Sequence, residues 1–476
     1  AWKILKPEGL GRFTSMGMSW EPDKETVTFH SLRLIRDGKA IDLLGRGGKM
    51  LVLRRERNLE RAMLDGRVTA SQQLEGVQVG DVIEWSWTQT RRDPLAGGRS
   101  YDMERLSFGG VAARYRVIVS WPEGAPNRWH ATPGFPQPTV STRDGRTLLT
   151  VDLRDVEAPK APLGAPARFR RVGTLETSGF GSWREVSALM APLYVKAAQL
   201  ERGSGVKAEA AAIAATTSDP KARAAAALQL VQEKTRYFFI GLQDGGYVPA
   251  GADLTWSRKF GDCKGKTALL LALLRELGVE AEPALVNLGG GDGLDERPPS
   301  LAAFNHVIVR ASIGGKTYWL DGTASGQRTG LDHLRPPPHR QRPAVRAQGA
   351  DLERIDIPPY DEPPVELAVR IDASAGLDAP AKAVMVTRMR GEAANGFRRM
   401  LDATRKAELE RSMRQSLSGG VEGFELESFD VRDDPDNDAV EFEIRGTTRM
   451  LWRLNPDVKR REYRVASGDR RVSFPK

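Results

Sequence analysis

Short alternating runs of apolar and polar residues dominate the first 175 positions. Glu25–His30 alternates and is expected to end before Ser31. Asp81–Thr90 places Trp85 and Trp87 on one face if extended, and Tyr115–Trp121 is closed by Pro122. Asp37-Gly38, Asp65-Gly66, Gly97-Gly98 and Asp144-Gly145 punctuate the runs with turn signals. This spacing predicts an antiparallel, β-sandwich-like domain over residues 1–175.

From about 176 the period changes. Ser182–Gln199 reads as a helix interrupted near Pro192. Asp219 caps a second helix that has Pro220 at its first position and runs to about Thr235. A third starts near Asp262 and stops at Gly278, which suits a left-handed C-terminal cap. Its stretch Ala268–Leu274 is apolar all round, so it belongs in the middle of a domain. The β-like runs His306–Ala311 and Thr317–Asp321 follow. The whole block, 176–335, is expected to be one α+β domain. The Pro/Arg-rich stretch opening at Arg335-Pro336 reads as a linker over 336–360. Beyond it, Val365–Ile371, Ala383–Met389 and Ala439–Ile444, with one long polar helix over roughly Glu392–Leu417, predict a C-terminal β-rich domain at 361–476.

Composition narrows the chemistry. Of 476 residues, 71 are Lys or Arg and 62 are Asp or Glu, a net charge of +9 spread along the chain. With no basic face and no matching motif, nucleic-acid binding is not expected. No uninterrupted apolar stretch approaches the ~18 residues of an ordinary membrane-spanning helix. There is one cysteine, Cys263, so internal disulfides and cysteine-built metal sites are excluded. The five histidines show no ligand spacing, and Asp433, Asp434, Asp436 and Asp438 read as a solvated turn, not a calcium loop. No metal and no cofactor is expected.

The lone cysteine sits in Phe260-Gly261-Asp262-Cys263-Lys264-Gly265-Lys266, at the start of the buried helix. Partial positive charge and unpaired N–H groups at a helix N-terminus stabilise a thiolate. The Cys263 N–H is also placed to donate to an oxyanion. Asp262 is expected to be the N-cap, and Lys264 and Lys266 solvated surface charges. A nucleophilic thiol needs a base, and the base an orienting group. Gly314-Gly315 reads as a two-residue hairpin turn, which pairs Ile313 with Lys316. Counting outward makes His306 and Asp321 diagonal neighbours on one face of the hairpin, within reach of a hydrogen bond. A three-residue loop would put Asp321 on the other face.

These segments resemble the transglutaminase-like superfamily of papain-type cysteine enzymes. The likeness runs through Tyr247-Val248-Pro249, Lys259 to Leu270 with its Gly261-Asp262-Cys263-Lys264 core, Leu277-Gly278-Val279-Glu280-Ala281, Phe304-Asn305-His306-Val307 and Tyr318 to Thr323. It covers about a third of the chain. It implies Cys263 as nucleophile, His306 as base and then acid, and Asp321 as orienting group. The second oxyanion donor such a site needs has three candidates: Trp256, Gln243 and Tyr247. Gly265 departs from the resemblance, where an Asp is frequent. Residues 1–175, with Leu74 to Glu84, are similar to an uncharacterised β domain that precedes such domains in exported bacterial proteins.

The fold expected is therefore α+β, a central papain-type domain between an N-terminal antiparallel β domain and a C-terminal β-rich domain with one long helix. The resemblance implies a cysteine-dependent amide-bond enzyme with a thioester intermediate, most simply a hydrolase acting on a protein or peptide. Protein crosslinking by the same residues is the first alternative. A non-catalytic envelope scaffold, with an envelope-associated partner, is the second. Exported relatives imply the periplasm, and a single cysteine is compatible with either side of a membrane.

Overall fold

The computed structural model describes residues 1–44, 50–54, 63–64, 66–107, 110–240, 246–289, 291–336, 341–420, 424–450, 453–456 and 460–462. It is a mixed α and β structure whose strands pair mostly antiparallel.

The N-terminal strands form where the alternation places them, and the turns follow from Asp-Gly chemistry. Asp37 and Gly38 take φ of 48° and 74° between Arg36 and its partner Lys39, and Asp144 and Gly145 take 52° and 67° between Arg143 and Arg146. Positive φ at both central positions matches the twist of the flanking strands. The first strand is longer than expected. Glu25–Arg36 runs past Ser31, absorbing His30 in a register shift against Val82–Arg91. Two small cores result instead of one: Ile4, Met16, Leu32, Leu74 and Ile83 in one, and Leu106, Ala131, Phe135, Val151 and Leu175 in the other.

The central region is built around one helix. Helices α1 (Trp183–Ala197), α2 (Gly205–Thr216), α3 (Pro220–Lys234) and α4 (Ala252–Arg258) all pack on α5 (Cys263–Glu276). The sheet of Glu280–Val286, His306–Ile313 and Lys316–Leu320 packs on α5 as well. Ala268, Leu269, Leu270, Leu273 and Leu274 of α5 are fully buried, as an all-apolar surface demands. Gly278 ends the helix at φ 72°, and the Val279 N–H bonds back to the Leu274 carbonyl. Helix α1 does not break at Pro192. Its buried Val186, Met190 and Tyr194 hold it through the missing backbone donor.

The stretch read as a linker is structured where it is described. Gln341–Pro343 pairs with Leu352–Arg354, the Val345 N–H donates to the Pro283 carbonyl, and the Ser187 hydroxyl donates to that of Ala344. Arg342 is 1% exposed, with its guanidinium 3.0 Å above the Trp319 ring centroid.

The C-terminal sheet has the order Val365–Asp372, Ala381–Arg390, Ala439–Thr448, Glu425–Asp434. The single long helix expected here is two, α6 (Glu392–Ala403) and α7 (Lys406–Gly420), because Thr404 is extended. The acidic run is less solvated than expected. Asp433 and Asp438 hold the fully buried Arg398 guanidinium of α6 at 2.9 and 3.1 Å.

Candidate active site

Two elements converge on the thiol. Asp262 caps α5: its Oδ1 accepts from the Lys264 and Gly265 N–H groups, both at 3.0 Å. Its backbone carbonyl accepts from the Lys266 N–H. That leaves the Cys263 N–H as the first-turn donor without an acceptor among the described residues. Cys263 itself is 7% exposed.

The hairpin supplies the second element. Gly314 and Gly315 take φ of 58° and 78°, and Ile313 pairs with Lys316, so the loop has two residues. Val309 therefore faces Leu320, and His306 Nε2 lies 2.9 Å from Asp321 Oδ2. The Cys263 thiol is near enough to the His306 ring to raise its pKa. With Nε2 engaged by Asp321, the nitrogen left for sulfur is Nδ1. Burial disfavours a charged ring, but Asp321 and Cys263 outweigh it and push His306 up to about 10.

Asp321 is fixed on every side. Its Oδ1 accepts from the Thr323 N–H at 2.8 Å and from the Thr323 hydroxyl at 2.7 Å, and Gln232 Nε2 donates to its carbonyl at 2.9 Å. Burial works to raise its carboxyl, yet His306 and Thr323 hold it below the ordinary carboxylate value. Gln232 was not legible as a site residue, because its contact depends on how α3 packs.

The lysines beside the thiol are not surface charges. Lys264 is 7% exposed, ion-paired with Asp262, with its ammonium 4.7 Å from the Phe239 ring centroid. Lys266 is 2% exposed and donates to the Thr235 carbonyl at 2.6 Å. Burial brings Lys266 down to about 8, against the pull of Asp321. Gly265 has no room for the Asp of the resemblance: a Cβ there would lie 2.9 Å from Thr255 Oγ1.

The three expected oxyanion donors fare differently. Trp256 turns its indole nitrogen to Gly205 of α2, where an added Cβ would lie 3.2 Å away. Tyr247 spends its hydroxyl on Tyr101, in the N-terminal region. Gln243 lies outside the described residues. A fourth side chain, Tyr237, stands beside the site. The strand Arg236–Tyr237 runs parallel to Phe260–Gly261, with Tyr237 opposite Gly261.

Comparison with known proteins bears on the fold. Residues 1–160 match the family described as a Domain of Unknown Function with solved structure (DUF3857). No curated protein matches the chain in sequence. The chain shares its fold with a protein from Parabacteroides distasonis described as a "putative protease". The two are 15% identical, with a TM-score of 0.57 over 94% of this chain and 88% of the other. Two others superpose poorly. A "putative cysteine protease" from Cytophaga hutchinsonii is 12% identical over 47% of this chain and 79% of its own, with a TM-score of 0.19. The periplasmic domain of TgpA from Pseudomonas aeruginosa is 15% identical over 62% and 89%, with a TM-score of 0.20. At 15% identity the likeness to the Parabacteroides distasonis protein shows a shared fold. No helix among the described residues is long and apolar enough to cross a membrane.

Proposed function

We propose that the protein is a cysteine-dependent amide-bond enzyme of transglutaminase-like type, with Cys263, His306 and Asp321 as its triad. The observation that carries the reading is His306, hydrogen-bonded to Asp321 and near enough to the Cys263 thiol for its pKa to be raised by it. A thiol that hands its proton to a neighbouring imidazole attacks as the nucleophile and leaves a proton donor in reach. Asp321 holds the ring in one orientation and stabilises its charge.

Sulfur attacks the amide carbonyl, forming the C–S bond as the carbonyl π pair moves to oxygen. The Cys263 N–H receives that oxyanion. Collapse expels the amine, which takes its proton from His306 and leaves a thioester. Water, giving a proton to His306, then releases the acid and restores the thiol. An amine in place of water would give transamidation. The substrate we infer is a protein or peptide, and the compartment the periplasm.

The test is a peptide mixture incubated with the purified protein and with Cys263→Ala, followed by mass spectrometry, with a labelled primary amine present. Peptide cleavage or ammonia release without label uptake, absent in Cys263→Ala, is the expected result. Amine incorporation would replace hydrolysis by crosslinking. Equal activity in Cys263→Ala would refute the reading.

A further inference from the structure

Attack on a carbonyl needs two donors at the developing oxyanion, and the Cys263 N–H is only one. Trp256 packs its indole nitrogen against Gly205, and the Tyr247 hydroxyl is engaged by Tyr101. Two tyrosines that feel the charge of Cys263 carry hydroxyls that no described residue engages, and burial separates them. Tyr194 is 2% exposed, its hydroxyl sealed in the core, where no substrate reaches it. Tyr237 is 41% exposed and stands at the rim of the site.

We propose that Tyr237 is a further catalytic residue, its hydroxyl donating to the substrate oxyanion opposite the Cys263 N–H. This rests on the reading of Cys263 as nucleophile. The backbone fixes the placement. Tyr237 is opposite Gly261 in the parallel pair, two residues before the thiol, and the Phe238 N–H donates to the Gly261 carbonyl. The pair therefore ties the tyrosine to the start of α5. The phenol is also near enough to Cys263, Asp262 and Asp321 to feel all three charges. Burial and those negative charges raise it above its ordinary value, so it keeps its proton and remains a donor across the neutral range. In the reacting complex the oxyanion takes one hydrogen bond from the Cys263 N–H and one from Tyr237 Oη. No proton leaves the phenol, and when the C–O double bond re-forms both bonds weaken again.

The role separates two reactions of the same sulfur. Acylation by p-nitrophenyl acetate passes through an oxyanion, whereas alkylation by iodoacetamide displaces iodide and forms none. Tyr237→Phe keeps the ring and removes only the hydroxyl. The expected result is alkylation of Cys263 within about twofold of the parent, with acylation slowed on the order of 10²-fold. Acylation at the parent rate would overturn the proposal. So would a parallel loss of both reactions, which marks a ring that merely shapes the pocket. Nitrophenol release that persists in Cys263→Ala would instead remove the nucleophile, and the assignment of Tyr237 with it.

Discussion

His306 Nε2 and Asp321 Oδ2 meet at 2.9 Å because a two-residue turn, Gly314-Gly315, sets the register of the strands that carry them. The 15-residue separation in sequence is closed by one hairpin. The orientation of the ring is thus a property of the turn as much as of the carboxylate.

Inserting one alanine between Gly314 and Gly315 tests that dependence. A one-residue slip sends alternate side chains to the opposite face, taking Asp321 from His306 and the buried Tyr318 and Leu320 from their places. Cys263 is expected to lose its enhanced iodoacetamide reactivity, and thermal melting should fall. An insertion variant with parent reactivity would show that the register does not set the site.

Asp321→Asn keeps the shape and removes the charge. By analogy with other triads, turnover should fall on the order of 10³-fold to 10⁴-fold, with the fold intact by circular dichroism. A loss below about tenfold would reduce Asp321 to a packing residue.

The charge on His306 has a stability consequence with a definite sign. Its folded value, about 10, lies above the ~6.5 of an unfolded histidine. The stabilisation is therefore complete below about pH 6.5 and is lost as pH rises through 10. Urea melts of the parent and of His306→Ala should differ most at pH 6 and converge towards pH 10.5. Asp321 behaves oppositely: its depressed carboxyl stabilises above the ordinary carboxylate range, and the contribution disappears as pH falls below it. A difference between the two proteins that grows with pH would contradict the assignment.

Gly265 is expected to tolerate a side chain poorly. Gly265→Asp should destabilise by about 1–3 kcal/mol through overpacking against Thr255 Oγ1, and Thr255→Ala in the same chain should recover part of that loss. Chemical denaturation of the four members of this cycle measures the coupling. Additive losses would mean that Thr255 is not the obstacle.

The readings that came through from sequence were local ones. The Asp262 cap, the Gly278 stop and the Gly314-Gly315 hairpin each depend on a few adjacent residues, and each formed. What was missed depended on distant packing. Lys264 and Lys266 look like surface residues in any composition, yet Asp262, the Phe239 ring and the Thr235 carbonyl receive them inside the fold. Pro192 should break a helix, and the apolar face of α1 holds it intact. Thr404 carried no turn signal, yet it divides the long helix. Tyr247 matched the resemblance, but its hydroxyl meets Tyr101 nearly 150 residues away. Tyr237 gave no sign, because its place depends on a parallel pairing with the segment before Cys263 that no local pattern announces.

The central claim is that His306 makes the Cys263 thiol a nucleophile. The direct measurement is the second-order rate of iodoacetamide with Cys263 at pH 6, followed by intact mass, for the parent and for His306→Ala. If His306 takes the proton of the thiol, the parent should react at least about tenfold faster than the variant, which lacks that acceptor. Equal rates in the two proteins would contradict the account.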